Sequence, residues 1–156
     1  MLKKLLATNN DPVITLLRVL LGIVFFAHGA QKMLGWFGGY GYSATMGYFE
    51  KLGMPALLAF LVIFIEFFGS LGLITGLLTR LSALAIGLEM VGAVLTVHLH
   101  NGFFMNWAGN QKGEGFEYHI LVFAIVIALL IRGGGSYSID GAIAGSATPG
   151  RGSLAL

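Results

Sequence analysis

Four apolar runs, at about residues 13–33, 55–77, 81–99 and 116–131, constrain this chain more than anything else in it. Each is close to the ~20 residues that a helix needs to cross ~30 Å of hydrocarbon. Lipid offers nothing to satisfy backbone N–H and C=O groups, so each run is expected to be a helix. None alternates in the manner of a membrane β-strand. Composition agrees: 56% of residues are hydrophobic and 10% charged, against roughly 25% charged in soluble chains. The expected fold is all-α, an integral membrane four-helix bundle with aromatic-rich outer loops. It occupies residues 13–132, between an N-terminal tail (1–12) and a flexible, glycine-rich C-terminal tail (133–156).

Asp11 and Pro12 suit the entry to the first run: an acidic cap, then a proline whose missing N–H costs nothing in a first turn. Residues 1–12 contain Lys3 and Lys4, but a polar break at 8–11 interrupts them, so they read as a tail before an uncleaved span. Lys3, Lys4, Arg80, Arg132 and Arg151 fall on the side of both termini, against Lys51 and Lys112 on the other, with Lys32 at its edge. The positive-inside rule therefore expects both termini of this multi-pass chain in the cytoplasm. Trp36, Phe37, Tyr40, Tyr42, Tyr48 and Phe49 in the first outer segment suit the headgroup layer. There Ser43 is expected to cap a short helix that Gly53 ends. Phe103, Phe104, Met105 and Trp107 make the second outer segment similar. A net charge of +2 without a dense basic cluster speaks against nucleic acid as a partner. The lack of cysteine excludes disulfides and thiolate-held clusters.

The apolar runs nonetheless carry ionisable groups, which are costly at membrane depth and are expected to face a protein interior or a wet cavity. Helical spacing puts Arg18, Gly22, Phe25, Gly29 and Lys32 on one stripe of the first run. Glu89, Ala93, Thr96 and His100 share a stripe in the third, and Glu117, Leu121, Ala124 and Ala128 in the fourth. Depth then suggests two layers. The inner layer is Arg18 with Glu66 and Glu89 near the midplane, the candidate catalytic set. It reads either as a buried ion pair with a second, protonated carboxyl that fixes helix register, or as a proton relay or quinone-edge site. The outer layer holds His28, Gln31, Lys32, His98, Glu117 and His119, the candidate cofactor-binding set, with His100 nearby. It reads either as interfacial histidines bonded to loops, or as a quinone or small-aromatic headgroup site at the outer mouth. His98-x-His100 sets two rings on nearly opposite helix faces, so a metal or haem site is not favoured.

The run RVLLGIVFFAHGAQKMLGWFGG, followed by Thr45, Phe49, Gly53 and Pro55, resembles the DoxX family of small bacterial membrane proteins. Glu66-Phe-Phe-Gly, Gly76-Leu-Leu-Thr-Arg80, Val97-His98 with Asn101-Gly-Phe-Phe104, and Gly115-Phe-Glu117-Tyr118 extend the resemblance over about residues 11–140. The resemblance implies four transmembrane helices and a link to quinone-coupled oxidation, many members being labelled quinol oxidase subunits or oxidoreductases. It also implies that Arg18, His28, Gln31, Lys32, Glu66, Arg80, His98, Asn101 and Glu117 fall on the family's polar pattern, whereas His100 and Ser70 depart from it.

The expected function is a membrane subunit of a quinone-linked oxidoreductase that handles quinol and quinone, or relays protons and electrons with partner subunits. The expected cofactor is a quinone. Expected partners are the lipid bilayer and either other subunits or further copies of the chain. The alternative is a non-catalytic membrane scaffold or accessory subunit. A small-molecule transporter is a third reading, which the lack of an inverted repeat disfavours.

Overall fold

A computed structural model describes residues 5–145. Lys3, Lys4 and Arg151, which entered the expected orientation, lie outside the described residues, as does the tail from 146 on. Helix α1 (Pro12–Leu34) opens as the sequence suggests. The Asp11 carboxylate accepts from the Val13 and Ile14 amides, Pro12 fills the first turn, and Gly35 ends the helix in the left-handed region. Helix α2 (Gly41–Lys51) is the short outer helix. It starts ahead of Ser43, with no side-chain cap, so the predicted Ser43 cap is not formed. Helices α3 (Ala56–Thr75) and α4 (Thr79–Asn101) follow, then α5 (Glu117–Arg132) and the short α6 (Ile139–Ala144). The helices α1, α3 and α4 are each long and apolar enough to cross a membrane. The 16-residue α5, about 24 Å long at ~1.5 Å per residue, completes the bundle. No strand occurs among the described residues.

The core is a column of Leu21, Phe25, Leu73, Ile86, Val122 and Leu129. Leu16, Leu20, Leu57, Leu88 and Ile127 point outward and are exposed, as expected where acyl chains take the place of water. Helix α1 lies unusually close to α3. A Cβ added at Gly22 falls 2.8 Å from the Ile74 side chain, and one added at Gly29 falls 2.6 Å from the Glu66 carbonyl carbon. Small residues let helix backbones approach in lipid, where packing rather than water drives association. These two contacts are seven residues apart on α1 and about as far apart on α3, so they fix the antiparallel register of the pair.

At the inner end, among the described residues, Arg18, Arg80 and Asp140 each meet a helix end of opposite sign. Arg18, 1% exposed, donates to the Leu73 and Ile74 carbonyls (2.8 Å to Ile74) at the end of α3, and to Gly134 O at 2.8 Å. Arg80 does the same for α5, donating to Leu130 O (2.8 Å) and Ile131 O (3.1 Å), and it also reaches Leu5 and Ala7. Asp140 takes the opposite role at the start of α4. Its carboxylate accepts from the Leu78 amide at 2.7 Å and the Thr79 amide at 2.8 Å. Cations at C-termini and an anion at an N-terminus match the helix dipoles and the unsatisfied terminal groups. Leu78 adopts a left-handed φ of +50°, a conformation that costs a branched L-residue roughly 1–2 kcal/mol. The two bonds to Asp140 offset it.

Two expectations are corrected here. Arg18 does not join Glu66 and Glu89. Its partners Leu73 and Ile74 lie seven and eight residues beyond Glu66, about 10 Å along the helix at ~1.5 Å per residue. The segment following α5 is not a loose tail as far as residue 145. Ser138 caps α6 through Gly141 N at 3.1 Å, Asp140 is 1% exposed, and Thr15 donates to Ser136 O at 2.6 Å. The inner ends of α3 and α4 need capping, and this segment supplies it.

Replacing Asp140 with alanine removes two charge-assisted bonds from a helix start and leaves Arg18 without its nearest anion. The expected loss is about 2–3 kcal/mol in reversible unfolding in mixed micelles. A loss below about 0.5 kcal/mol contradicts the capping role.

Candidate functional site

The site lies in the outer half of the bundle. Within α3, residues Ile65–Gly69 form a π-helical turn that contains Glu66. A second π-turn in α4, Val94–His98, contains His98. Such wide turns re-aim side chains and concentrate at functional sites. Glu66 is buried and accepts an ion pair from Lys32, in the last turn of α1. Helical side chains lean toward their helix N-terminus. The Lys32 stem therefore runs inward along α1 from the outer edge and brings its ammonium down to Glu66. The Gly29 contact with the Glu66 backbone makes the reach short enough.

Glu89 comes from α4. Gly69 meets Ile86 across the α3–α4 contact, and three residues further along each helix the carboxyls of Glu66 and Glu89 adjoin, with Lys32 also within electrostatic reach. Glu89 Oε2 is buried and has no hydrogen-bond partner. The Tyr118 hydroxyl of α5 lies within reach of the Glu66 charge. Two carboxyls thus share one ammonium. Two ionised carboxyls beside one ammonium would leave a net negative charge in a low dielectric, and one proton on the pair would balance it.

A cavity of about 550 Å³ opens above this cluster, between the end of α1 and α2. Gln31, Lys32, Tyr40, Thr45, Tyr48 and Phe49 line it. Lys32 therefore belongs both to the cavity and to the carboxyl cluster. Gln31 holds the mouth in shape by donating to Phe37 O at 3.1 Å.

The other predicted residues are distributed. Arg18 is at the inner end, as described. His28 is exposed on the outward face of α1 and lies apart from both cavity and carboxyls. Glu117 is tied to the outer loop, accepting from Met105 N at 2.8 Å and Trp107 Nε1 at 3.3 Å. His98 and His119 come together, with ring centroids 4.3 Å apart. The His98 Nδ1–H donates to Glu114 O at 2.9 Å. His100 is exposed. The stripes expected on the third and fourth runs also shift. Thr96 and His100 are exposed, and α5 buries His119, Val122, Val126 and Leu129 while Leu121 is 67% exposed. The π-turn in α4 rotates its outer end away from an ideal helical stripe. Among the described residues no three His, Asp or Glu side chains gather to hold a metal ion.

Sequence reasoning passed over Thr45, Tyr118 and Asp140. Tyr118 had a readable signal, since it precedes buried Val122 by four residues and so shares its face. Thr45, named only among the residues that carry the family resemblance, had no readable role, because its place in the cavity depends on how α2 folds over the end of α1.

Residues 13–99 match the DoxX family profile, more than half of the chain. The chain belongs to the DoxX family. Among curated relatives, it is 35% identical to CatD of Bacillus subtilis, named provisionally as an oxidoreductase, over 73% of this chain and 75% of that one. It is 32% identical to the inner membrane protein YqjF of Escherichia coli over 84% of this chain and 92% of the relative. Identity to the uncharacterized membrane protein Rv3486 of Mycobacterium tuberculosis is 29%, over 93% and 90% of the two chains. No solved structure gives a significant match. The DoxX match covers α1 to α4, including Lys32, Glu66 and Glu89, and stops short of α5 and the inner-end segment around Asp140.

Removing Lys32 strands two buried carboxyls. Lys32→Met is expected to cost about 3 kcal/mol, the scale for breaking one side of a buried pair. Adding Glu66→Gln should return at least about 1 kcal/mol as coupling. Additive losses in this double-mutant cycle contradict the pairing.

Proposed function

We propose that this membrane protein is a subunit of a quinone-linked oxidoreductase, and that the cavity above Lys32 receives the quinone headgroup. The observation that carries the reading is the connection between the cavity and the carboxyl pair through one ammonium. A cavity of about 550 Å³ falls within the ~300–1,000 Å³ of small-molecule sites. Its walls offer aromatic faces from Tyr40, Tyr48 and Phe49, and hydroxyl or ammonium donors from Thr45, Tyr48 and Lys32, a fit for a planar ring bearing two oxygens. The oxidoreductase name of the Bacillus relative supports the same class of chemistry.

A quinol, when bound, supplies two electrons and two protons. Lys32 positions a ring oxygen and polarises it. The Glu66–Glu89 pair, holding one proton between two carboxyls, can take up a proton or release one with little rearrangement. Cavity side chains store no electrons, so electrons pass to a redox group on a partner subunit. Arg80 and Arg132 at the inner end support placing both termini in the cytoplasm, in the inner membrane of a bacterium. The competing reading, a non-catalytic accessory subunit, draws on the same Lys32–Glu66 pair as a packing device and expects no ligand in the cavity.

Titration of the full-length protein in nanodiscs with decylubiquinone, followed by tryptophan quenching, separates them. Saturable binding is expected, weakened at least about tenfold (~1.4 kcal/mol) by Thr45→Trp and by Lys32→Met. Absence of saturable binding, or binding that ignores both substitutions, contradicts the proposal and favours the accessory subunit.

A further inference from the structure

Two stretches that carry the family resemblance, Asn101-Gly-Phe-Phe104 and Gly115-Phe-Glu117-Tyr118, take no part in the cavity. The fold zips them together at the outer end of α5. Phe116 N donates to Gly102 O at 3.2 Å, Gly115 N to Phe104 O at 3.2 Å, and Glu117 N to Phe103 O at 2.9 Å. A Cβ added at Gly115 falls 2.5 Å from Gly102 O and 2.6 Å from Phe103 O, so the two backbones meet only because that residue is glycine. The Glu117 carboxylate, at the start of α5, accepts from Met105 N at 2.8 Å and from Trp107 Nε1 at 3.3 Å. Glu114 accepts from Asn106 N at 2.6 Å, and the Asn106 side chain exchanges two bonds with the Gln111 backbone, at 2.9 and 3.2 Å.

Helix α5 is too short to cross hydrocarbon by itself. Its 16 residues rise about 24 Å at ~1.5 Å per residue, against ~30 Å of hydrocarbon. Its inner end is held at the boundary, where exposed Arg132 closes it and Arg80 meets the Leu130 and Ile131 carbonyls. The shortfall of about 6 Å therefore falls at the outer end, at the level of Glu117 and the backbone bonded to it. Phe104 and Trp107 project from that backbone, 67% and 88% exposed. Lipid offers no partner to loose backbone, and here three successive amides are met, Met105 and Asn106 by carboxylates and Trp107 by Met105 O at 2.9 Å. Trp107 carries the sharper sign. An indole in an aromatic belt keeps its N–H at the wet side of the interface. This N–H turns inward to Glu117, so the exposed remainder of the ring is hydrocarbon. At the tip of the loop Asn110, Gln111 and Lys112 are polar and exposed.

We propose that residues 102–116 form a lipid-embedded cap that completes the fourth crossing, with Phe104 and Trp107 among the outermost acyl carbons and Lys112 at the lipid phosphates. The occupant of this surface is phospholipid, not a second protein. The apolar rings sit at the edge of the hydrocarbon and the cation lies beyond them, the order in which a lipid presents acyl chain and phosphate. Glu117, expected from the sequence to touch a cofactor, is here a positioning residue. It turns the indole N–H inward and holds the cap against α5. The cap rests on neither the cavity nor its ligand.

Trp36→Phe leaves Trp107 as the sole tryptophan. The full-length variant is placed in vesicles of phosphatidylcholine and phosphatidylglycerol. Its fluorescence is quenched in turn by lipids brominated near the carboxyl end of their acyl chains and by aqueous acrylamide. The expected result is blue-shifted emission and a larger loss to the brominated lipid. A loss to acrylamide as large or larger puts the ring in water and overturns the cap. Little loss to either quencher means that a second copy or another protein covers the ring, and overturns it too. The chain has no cysteine, so Phe104→Cys carrying a nitroxide gives a second reading with both tryptophans kept. Collisions with oxygen should exceed those with a water-soluble nickel chelate, and the reverse order contradicts the proposal. In the single-tryptophan protein, Glu117→Met should red-shift the emission and make acrylamide the stronger quencher. Glu117→Gln, which keeps an acceptor oxygen, should retain the original order. An unchanged order with Glu117→Met contradicts the positioning role.

Discussion

A charged group inside a bilayer must find its counter-charge in the protein, because lipid supplies none. That requirement organises both ends of this bundle. At the inner end two helices finish and two begin, and the side chains there are sorted by sign. Arg18 serves the end of α3, Arg80 the end of α5, Asp140 the start of α4 and Asp11 the start of α1. Each uses carbonyls or amides that a helix in lipid would otherwise leave unmet. The arginines are thus committed to backbone groups. They hold the inner end rigid and leave the neutralisation of the midplane carboxyls to Lys32.

In the outer half the same requirement is met less completely, and chemistry becomes possible there. Glu66 has Lys32, but Glu89 Oε2 and His119 Nδ1 are buried without a hydrogen-bond partner. The cavity beside Lys32 suits an occupant. One π-turn, holding Glu66, lies at mid-depth in α3, and the other, holding His98, near the outer end of α4. The inner parts of the same helices, Ser70–Thr75 and Thr79–Ala93, are regular α-helix.

Much of the architecture was legible because it follows from local pattern. The apolar runs gave the helices, Asp11–Pro12 gave the start of α1, and the stripe Arg18–Gly22–Phe25–Gly29 is buried as its spacing implies. The partner of Glu66 was not legible. Arg18 and Lys32 share one face of α1, and only the sliding register of α1 on α3, set by Gly22 and Gly29, decides which cation reaches it. Register between helices far apart in sequence is a packing property, invisible to periodicity. The π-turns escaped for a related reason: they depend on tertiary contacts, and they shift the outer parts of α3 and α4 off ideal stripes. The segment 133–145 looked loose because its composition is small and glycine-rich. Ser138 and Asp140 held the contrary signal, a cap and an acidic first turn for α6.

Membership of the DoxX family carries the membrane architecture, and the Lys32–Glu66–Glu89 cluster carries the functional account. The most direct measurement is solid-state NMR of the protein in lipid bilayers, with ¹⁵N in the lysine side chains and ¹³C in the glutamate carboxyls. The account predicts a through-space correlation between Lys32 Nζ and the Glu66 carboxyl carbon, at the separation of an ion pair whose N···O distance is within about 4 Å. It also predicts one glutamate carboxyl, next to it, with the shift of the protonated form. A Lys32 signal with no carboxyl partner, or two fully ionised carboxyls at neutral pH, would contradict it.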